Sequence, residues 1–250
     1  MARVIIAGAK GRMGQALVAC APQLQNIQII GQINRGDSLT TIIDGCDVVI
    51  DFSSRDATLG FVELCAGHKK AIVIGTTGHS EVEKVEILKF KTQIPIVWTS
   101  NFSIGINHLF WLLRKTAGVF DARYNIEIEE THHHLKKDAP SGTAKTLAEI
   151  LAELRKLEVG DVVRIRHQQL KTDKPLPSNE IVIRWEREGD VVGVHTVIFS
   201  KLGESVELTH RAFSRDAFAH GALYAASWVA YKNAEQKPGL YDMQDVLGLK

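Results

Sequence analysis

The sequence predicts an α/β fold: a doubly wound parallel sheet over its first hundred residues, an α+β domain after it, and a C-terminal segment that returns to the first domain. Short apolar runs alternate with helix-period segments as far as Trp98. From Tyr124 the period changes to two, with turn-rich joins between runs, and one more helix-period segment follows the last of them.

In the first part, the strands are expected at 4–7, 27–33, 48–52, 71–74 and 94–98. They are apolar almost without interruption, as strands covered on both faces must be. Between them Met13, Leu17 and Cys20 recur at helical spacing, as do Phe61, Leu64 and His68, and then Val82, Val85 and Leu88. A helix is expected over 105–120, centred on Trp111, Leu112 and Leu113. In the strand 124–130, Tyr124, Ile126 and Ile128 share one face, and Glu127 and Glu129 the other. A helix over about 143–157 follows, then strands at 181–185, 191–200 and 205–213, read as consecutive antiparallel neighbours joined by glycine-containing turns. Residues 171–179, with two prolines, read as a flexible loop, and 216–231 as the last helix. The expected domains are 1–102, 103–213 and 214–250.

Composition narrows the function. Thirty basic residues oppose 29 acidic ones, and no Lys/Arg run exceeds two residues, so no nucleic-acid partner is expected. No apolar run approaches the roughly 18 residues that cross a bilayer. Three scattered cysteines, Cys20, Cys46 and Cys65, fit no metal-ligand spacing and suit a reducing, cytoplasmic setting.

Gly8-Ala9-Lys10-Gly11-Arg12-Met13-Gly14 leaves the first strand and opens the first helix. That context suits a dinucleotide pyrophosphate, which needs backbone N–H groups free of Cβ obstruction at the positive end of a helix dipole. A strand-to-helix turn without a ligand is the plainer alternative. At the end of the second strand, where an acid would bind the 2′-hydroxyl of NADH, stand Asn34 and Arg35. A guanidinium there pairs with a 2′-phosphate, which favours NADPH and leaves NADH possible; a solvated Arg35 is the competing reading. Gly75-Thr76-Thr77-Gly78 and Ser100-Asn101-Phe102-Ser103 follow the fourth and fifth strands, at the carboxyl ends where such sheets bind ligands.

The most informative segment is Glu130-Thr131-His132-His133-His134-Leu135-Lys136-Lys137-Asp138-Ala139-Pro140-Ser141-Gly142-Thr143. It leaves a strand, carries imidazoles and an ammonium, and enters a helix at Gly142-Thr143. A helix N-terminus beside His133 and Lys136 suits an anion such as a small dicarboxylate, and a histidine delivers a proton near neutral pH. A solvated polar loop, or Ser141 and Thr143 as simple helix caps, are the alternatives. Zinc is not expected: along a strand only His132 and His134 could converge, and no partner has ligand spacing. His195, His210 and His220 have no comparable company and read as packed or surface residues.

Together, the glycine turn, Asp51-Phe52-Ser53, Gly75-Thr76-Thr77-Gly78, Asn101-Phe102-Ser103-Ile104-Gly105 and the segment from His132 to Thr143 resemble the 4-hydroxy-tetrahydrodipicolinate reductase family of lysine and diaminopimelate biosynthesis. The resemblance extends to the tail Arg215-Asp216-Ala217-Phe218. It implies a Rossmann-type domain, a substrate domain with an open mixed sheet, and a homotetramer. It also implies His132 as general acid/base with Lys136 as an assisting proton donor, and substrate carboxylates on His133, Gly142 and Thr143. The cofactor would lie on Gly8, Ala9, Lys10, Gly11, Arg12 and Met13, on Gly75, Thr76 and Thr77, and on Thr99, Ser100, Asn101 and Phe102. Asn34 departs from the acid that family members often carry, and the chain is somewhat short. Rival readings are another dehydrogenase of this architecture, acting on an amino acid or aldehyde, and a redox-sensing dinucleotide module; an aldehyde-phosphate reductase would offer a catalytic cysteine, which neither Cys46 nor Cys65 suits, and a sensor would not need an imidazole–lysine anion site in a second domain.

Overall fold

Strands that are apolar on both sides need cover on both sides, and the chain supplies it from elements far apart in sequence. The computed structural model describes residues 1–167, 180–231 and 237–250, so the expected loop at 171–179 lies outside the described residues. The chain divides into two units, Met1–Ile104 with Arg215–Lys250, and Gly105–Ser214. In the first unit the elements are β1 (Ala2–Ala7), α1 (Arg12–Cys20), β2 (Ile27–Ile33), β3 (Val48–Asp51), α2 (Arg55–Gly67), β4 (Ala71–Ile74), α3 (Glu81–Leu88) and β5 (Pro95–Trp98). The second unit holds α4 (Ile104–Thr116), β6 (Asn125–His132), α5 (Gly142–Leu154), α6 (Val159–Val162), β7 (Val163–His167), β8 (Ile181–Arg187), β9 (Gly193–Lys201) and β10 (Glu204–Ala212). The chain then re-enters the first unit with α7 (Asp216–Tyr231), β11 (Gly239–Tyr241) and α8 (Met243–Leu247).

The sheet of the first unit runs β11-β5-β4-β3-β1-β2, parallel throughout. Val4, Ile6, Val48, Ile50 and Val73 pack with Leu17 of α1 and Leu223 and Ala226 of α7. Ile5, Val49, Ile72, Ile74 and Ile96 pack on the opposite face with Val62 and Cys65 of α2 and Ile87 of α3. Because β2 and β3 flank β1 on either side, the strand order reverses at β1, and the turns that follow β1 and β3 meet there. The face expected for α3 is wrong: Val82 and Val85 are 72% and 57% exposed, and Ile87 is the buried residue. A capping box between Ser80 and Glu83 starts this helix, and only one position of its short length reaches the core.

The sheet of the second unit runs β10-β9-β6-β8-β7. Its strands β6 and β8 pair in parallel, and β9 pairs antiparallel with both β6 and β10. The three late strands are therefore not consecutive antiparallel neighbours. β9 and β10 form the expected hairpin, but β6 lies between β9 and β8. Strands β7 and β11 had no expected counterpart; β7 carries three charged or polar residues in five, and β11 is three residues long. Ile126, Ile128, Ile181, Ile183, Val197 and Phe199 pack against α4 and α5, with Phe199 stacked on Phe120 at 4.1 Å.

Replacing the fully buried Phe199 with Ala should cost about 3–5 kcal/mol through lost burial and a residual cavity. Val85→Ala, on the exposed side of α3, should stay within about 0.5 kcal/mol of the parent. Denaturant unfolding of the two variants checks both, and similar losses would contradict this assignment of core and surface.

Candidate functional site

Each unit carries its own constellation. In the first, Gly8 has φ +83°, and a Cβ there would lie 2.4 Å from the Phe52 carbonyl oxygen. At Gly14 a Cβ would lie 2.2 Å from the Gly8 oxygen. These two glycines let β1, the turn after β3 and α1 close on one another. Helix α1 begins with Gly11 as its N-cap, without a side-chain cap and without an acid in its first turn. Its leading N–H groups are thus left for an anion. A cradle that any Cβ would fill, opening on an uncapped helix, fits a dinucleotide pyrophosphate.

The neighbouring turns are ordered around the cradle. Asp51 is fully buried at the end of β3, where it accepts hydrogen bonds from Ser53 N–H at 2.9 Å and Thr58 Oγ at 2.6 Å. Its backbone oxygen accepts from the N–H groups of Gly75 and Thr76, and Thr76 Oγ accepts from Ser53 N–H at 3.0 Å. Phe102 is buried with its ring 5.8 Å from that of Phe52. Thr99 Oγ donates to the Asn101 carbonyl at 3.3 Å, while Asn101 Oδ1 accepts from Ser103 N–H at 2.8 Å. Ser100 and Thr77 are exposed, as are Lys10, Gly11 and Arg12; Ala9 is buried and Met13 half-buried. Asn34 has a role not anticipated: its Oδ1 accepts from Lys10 N–H at 2.7 Å and so ties the glycine turn to the end of β2. Arg35 is exposed beside it.

In the second unit, β6 runs two residues beyond its expected end. That places Glu130 and His132 on its buried face, 2% and 7% exposed. The register sets His195 of β9 opposite Glu130, and Arg187 of β8 opposite His132. The His195 reading is thereby corrected. It is packed, 3% exposed, but in the company of the acid and imidazole that matter most. Glu130 Oε2 lies 3.7 Å from His132 Nδ1 and 3.6 Å from His195 Nε2, and the two rings meet edge-on at 5.0 Å. Both Glu130 oxygens accept from Ser141 N–H, at 3.0 and 3.2 Å, and Arg187 Nη2 is 3.5 Å away. Ser141 in turn caps α5 by accepting from Ala144 N–H at 3.2 Å, with its Oγ 3.1 Å from His195 Nε2. Glu130 therefore clips the end of β6 to the start of α5, where Gly142 is exposed and Thr143 buried.

Of the other expected residues, Lys136 is half-buried, its Nζ paired with both Asp138 oxygens at 2.8 Å. His133 is half-buried. His134 turns away, its Nδ1 2.8 Å from the Gly189 carbonyl, so it does not converge with His132. Glu130, Ser141, Arg187 and His195 were missed as functional residues. Carrying the period-two alternation two positions further would have paired Glu130 with His132; His195 pairs with Glu130 from 65 positions further along the chain and leaves no local signal.

Burial alone would push the Glu130 carboxyl up, but hydrogen bonding with His195 and Ser141 overrides it and holds it well below the usual range. Burial, then the nearby His195, Lys136 and Arg187, push His132 down against the opposing pull of Glu130. The ligating atoms of Glu130, His132 and His195 lie within 4.8 Å of one another, close enough to grip a metal ion. Their chemistry does not fit one: both carboxylate oxygens already accept hydrogen bonds, and Arg187 and Lys136 add positive charge at the same place. The cluster is instead suited to moving a proton beside an anion.

Comparison with known proteins agrees with this chemistry. Residues 2–102 match the family model "Dihydrodipicolinate reductase, N-terminus", and 105–247 match "Dihydrodipicolinate reductase, C-terminus". The 4-hydroxy-tetrahydrodipicolinate reductase of Akkermansia muciniphila is 44% identical over all of this chain and 99% of its own length. The enzyme of the same name from Syntrophus aciditrophicus is 40% identical, with both chains covered in full. In fold, the chain is similar to a dipicolinate-bound dihydrodipicolinate reductase from Paenisporosarcina sp. TG-14, with TM-score 0.73, 22% identity, and 98% and 99% of the two chains covered. With family models on both units and full-length relatives of one name, this chain belongs to the dihydrodipicolinate reductase (4-hydroxy-tetrahydrodipicolinate reductase) family.

Proposed function

We propose that this chain reduces 4-hydroxy-tetrahydrodipicolinate to tetrahydrodipicolinate with a proton delivered by His132 and a nicotinamide dinucleotide held by the first unit. The observation that carries the reading is the clip made by Glu130, which keeps a buried imidazole beside the N-terminus of α5. Family membership supports the reaction and the use of NAD(P)H; the residue roles are our own reading.

When bound, the reduced nicotinamide supplies a hydride to the conjugated imine of the substrate. The uncapped start of α1, with Gly8, Ala9, Lys10, Gly11, Arg12 and Met13, seats the pyrophosphate. Gly75, Thr76 and Thr77, and Thr99, Ser100, Asn101 and Phe102, flank the dinucleotide from the turns after β4 and β5. Asn34 shapes the glycine turn through Lys10 and its own N–H donates to Asp37 Oδ2 at 2.8 Å, which leaves Arg35 as the cation at the end of β2. An exposed guanidinium with no acid at position 34 favours the 2′-phosphate of NADPH over NADH.

In the second unit the N–H groups of Gly142 and Thr143, with His133 and Lys136, hold the substrate carboxylates. His132 gives its proton to the reduced ring, and Lys136 assists. In the free protein, burial, His195 and the cationic Lys136 and Arg187 push the His132 pKa down against the pull of Glu130 and so disfavour the charged ring. A doubly charged dicarboxylate beside it reverses that balance, so the substrate charges its own proton donor. The same reading includes a homotetramer built on the sheet of the second unit, whose β10 is largely exposed, and residence in the cytosol, where the three unpaired cysteines stay reduced. Among the described residues, no helix is long and apolar enough to cross a membrane.

His132→Gln should lower kcat by about 100-fold or more, with the KM for NADPH changed only a few-fold. Steady-state kinetics decide this, and turnover within a few-fold of the parent would exclude His132 as the acid. Arg35→Ala should raise the KM for NADPH by about 10-fold and that for NADH little, because one charge-assisted pair is lost. Equal effects would remove Arg35 from the phosphate site. Pyridine-2,6-dicarboxylate, the ligand in the Paenisporosarcina structure, should raise the Tm of the NADPH-loaded protein. No shift at millimolar concentration would count against a dicarboxylate site.

A further inference from the structure

Two features of the second unit concern the orientation of His132 rather than its presence. The first is a row of paired residues on adjacent strands. His210, His195, Glu130, Trp185 and His167 stand in register across β10, β9, β6, β8 and β7. The next row sets Gly193 beside His132 and Arg187. The second is the contrast between the two ring nitrogens. His132 Nδ1 is sealed from solvent and has the Glu130 carboxylate as its nearest acid, at 3.7 Å. On the other side, a Cβ at position 193 would lie only 3.3 Å from Nε2, so the single glycine of that row keeps this edge clear.

We propose that Glu130 and His195 are positioning residues that hold His132 with Nδ1–H turned inward to the carboxylate and Nε2 turned outward over Gly193 as the atom that releases the proton. The proposal rests on His132 being the acid and adds which nitrogen acts and what aims it.

A lone pair on Nδ1 facing an ionised carboxylate would be repelled, whereas an N–H facing it is attracted, so Glu130 selects the tautomer. The carboxylate itself cannot swing away: Ser141 N–H holds both oxygens, Arg187 stands 3.5 Å off one of them, and His195 Nε2 stands 3.6 Å off the other. His195 is fixed by Ser141 Oγ at 3.1 Å and lies edge-on to the His132 ring at 73°. The stack therefore braces the imidazole from the side opposite its reacting edge.

In the transfer, the Nε2–H bond breaks and its electron pair stays on Nε2, while the proton passes to the substrate. Nδ1 keeps its own proton, and Nε2 takes up a proton from bulk solvent as the next dicarboxylate binds. Among the described residues, the charged and titratable groups facing His132 are Glu130 on its own strand, His195 on β9, Arg187 on β8 and Lys136 in the following loop, and of these only Glu130 favours the charged ring. Removing that charge must make His132 a weaker base even if its position is unchanged.

Two measurements on the full chain test this. In 15N-labelled wild-type protein, with the His132 signals assigned by their loss in His132→Gln, the neutral ring should be the Nδ1–H tautomer. The Nε2–H tautomer would overturn the proposal without reference to any variant of Glu130. In Glu130→Gln, which keeps the shape and an acceptor for Ser141, the alkaline fall in kcat should move at least about one pH unit lower. Glu130→Asp should restore much of that shift. A lower kcat with the limb unmoved would reduce Glu130 to a structural residue and overturn the proposal. Failure of the underlying acid assignment is distinguishable, because it appears as surviving turnover in His132→Gln whatever the tautomer.

Discussion

The second unit depends on one buried carboxylate receiving one backbone N–H. Glu130 accepts from Ser141 N–H with both oxygens, and through that contact the end of a strand, the cap of a helix and two imidazoles become a single object. A carboxylate is stable at such a site only when donors surround it, since burial alone would protonate it. Ser141 N–H and Arg187 donate to it, and His195 Nε2 stands 3.6 Å from one oxygen. Of the groups that face Glu130, His195 and Arg187 also disfavour the charged form of His132. Fold and chemistry share their hydrogen bonds here, and neither has a separate scaffold.

The first unit solves the opposite problem. There, the proposed dinucleotide site needs backbone N–H groups left without partners, and the chain removes side chains instead of adding them. Gly8 and Gly14 sit where a Cβ would overlap neighbouring backbone, and the first turn of α1 has no cap of its own. Asp51 keeps the surrounding turns in place by accepting from Ser53 and Thr58 and by offering its backbone oxygen to Gly75 and Thr76. Buried polar bonds beneath the cradle thus support a surface whose donors stay open for a ligand.

How much of this can be read from the chain depends on how local each signal is. The strands of the first sheet are legible because residues such as Ile72, Val73 and Ile74 are all buried, and a short unbroken apolar run between turns suits a strand covered on both faces. The helix Asp216–Tyr231 is equally plain from its composition. The faces of α3 are not, because its valines point outward and one isoleucine carries the packing. Nor is the pairing of β8 with β6, since the order of strands in a sheet is fixed by long-range packing that leaves no periodic trace. The imidazole, ammonium and helix cap of 132–143 were legible as a cluster of types. Their partners Glu130 and His195 were hidden, one behind an early strand end and the other behind a pairing across 65 positions of chain. Asn34 illustrates the same limit: its acceptor role depends on Lys10 N–H, which only the folded turn brings near.

At the centre of the proposed chemistry, a dicarboxylate charges the buried imidazole that then serves as its acid. Isothermal titration of pyridine-2,6-dicarboxylate into the NADPH-loaded protein at pH 7, repeated in buffers of different ionisation enthalpy, measures the protons exchanged on binding. Uptake of about one proton per site is expected, and its loss in His132→Gln. Binding without proton uptake in the wild-type protein would contradict it.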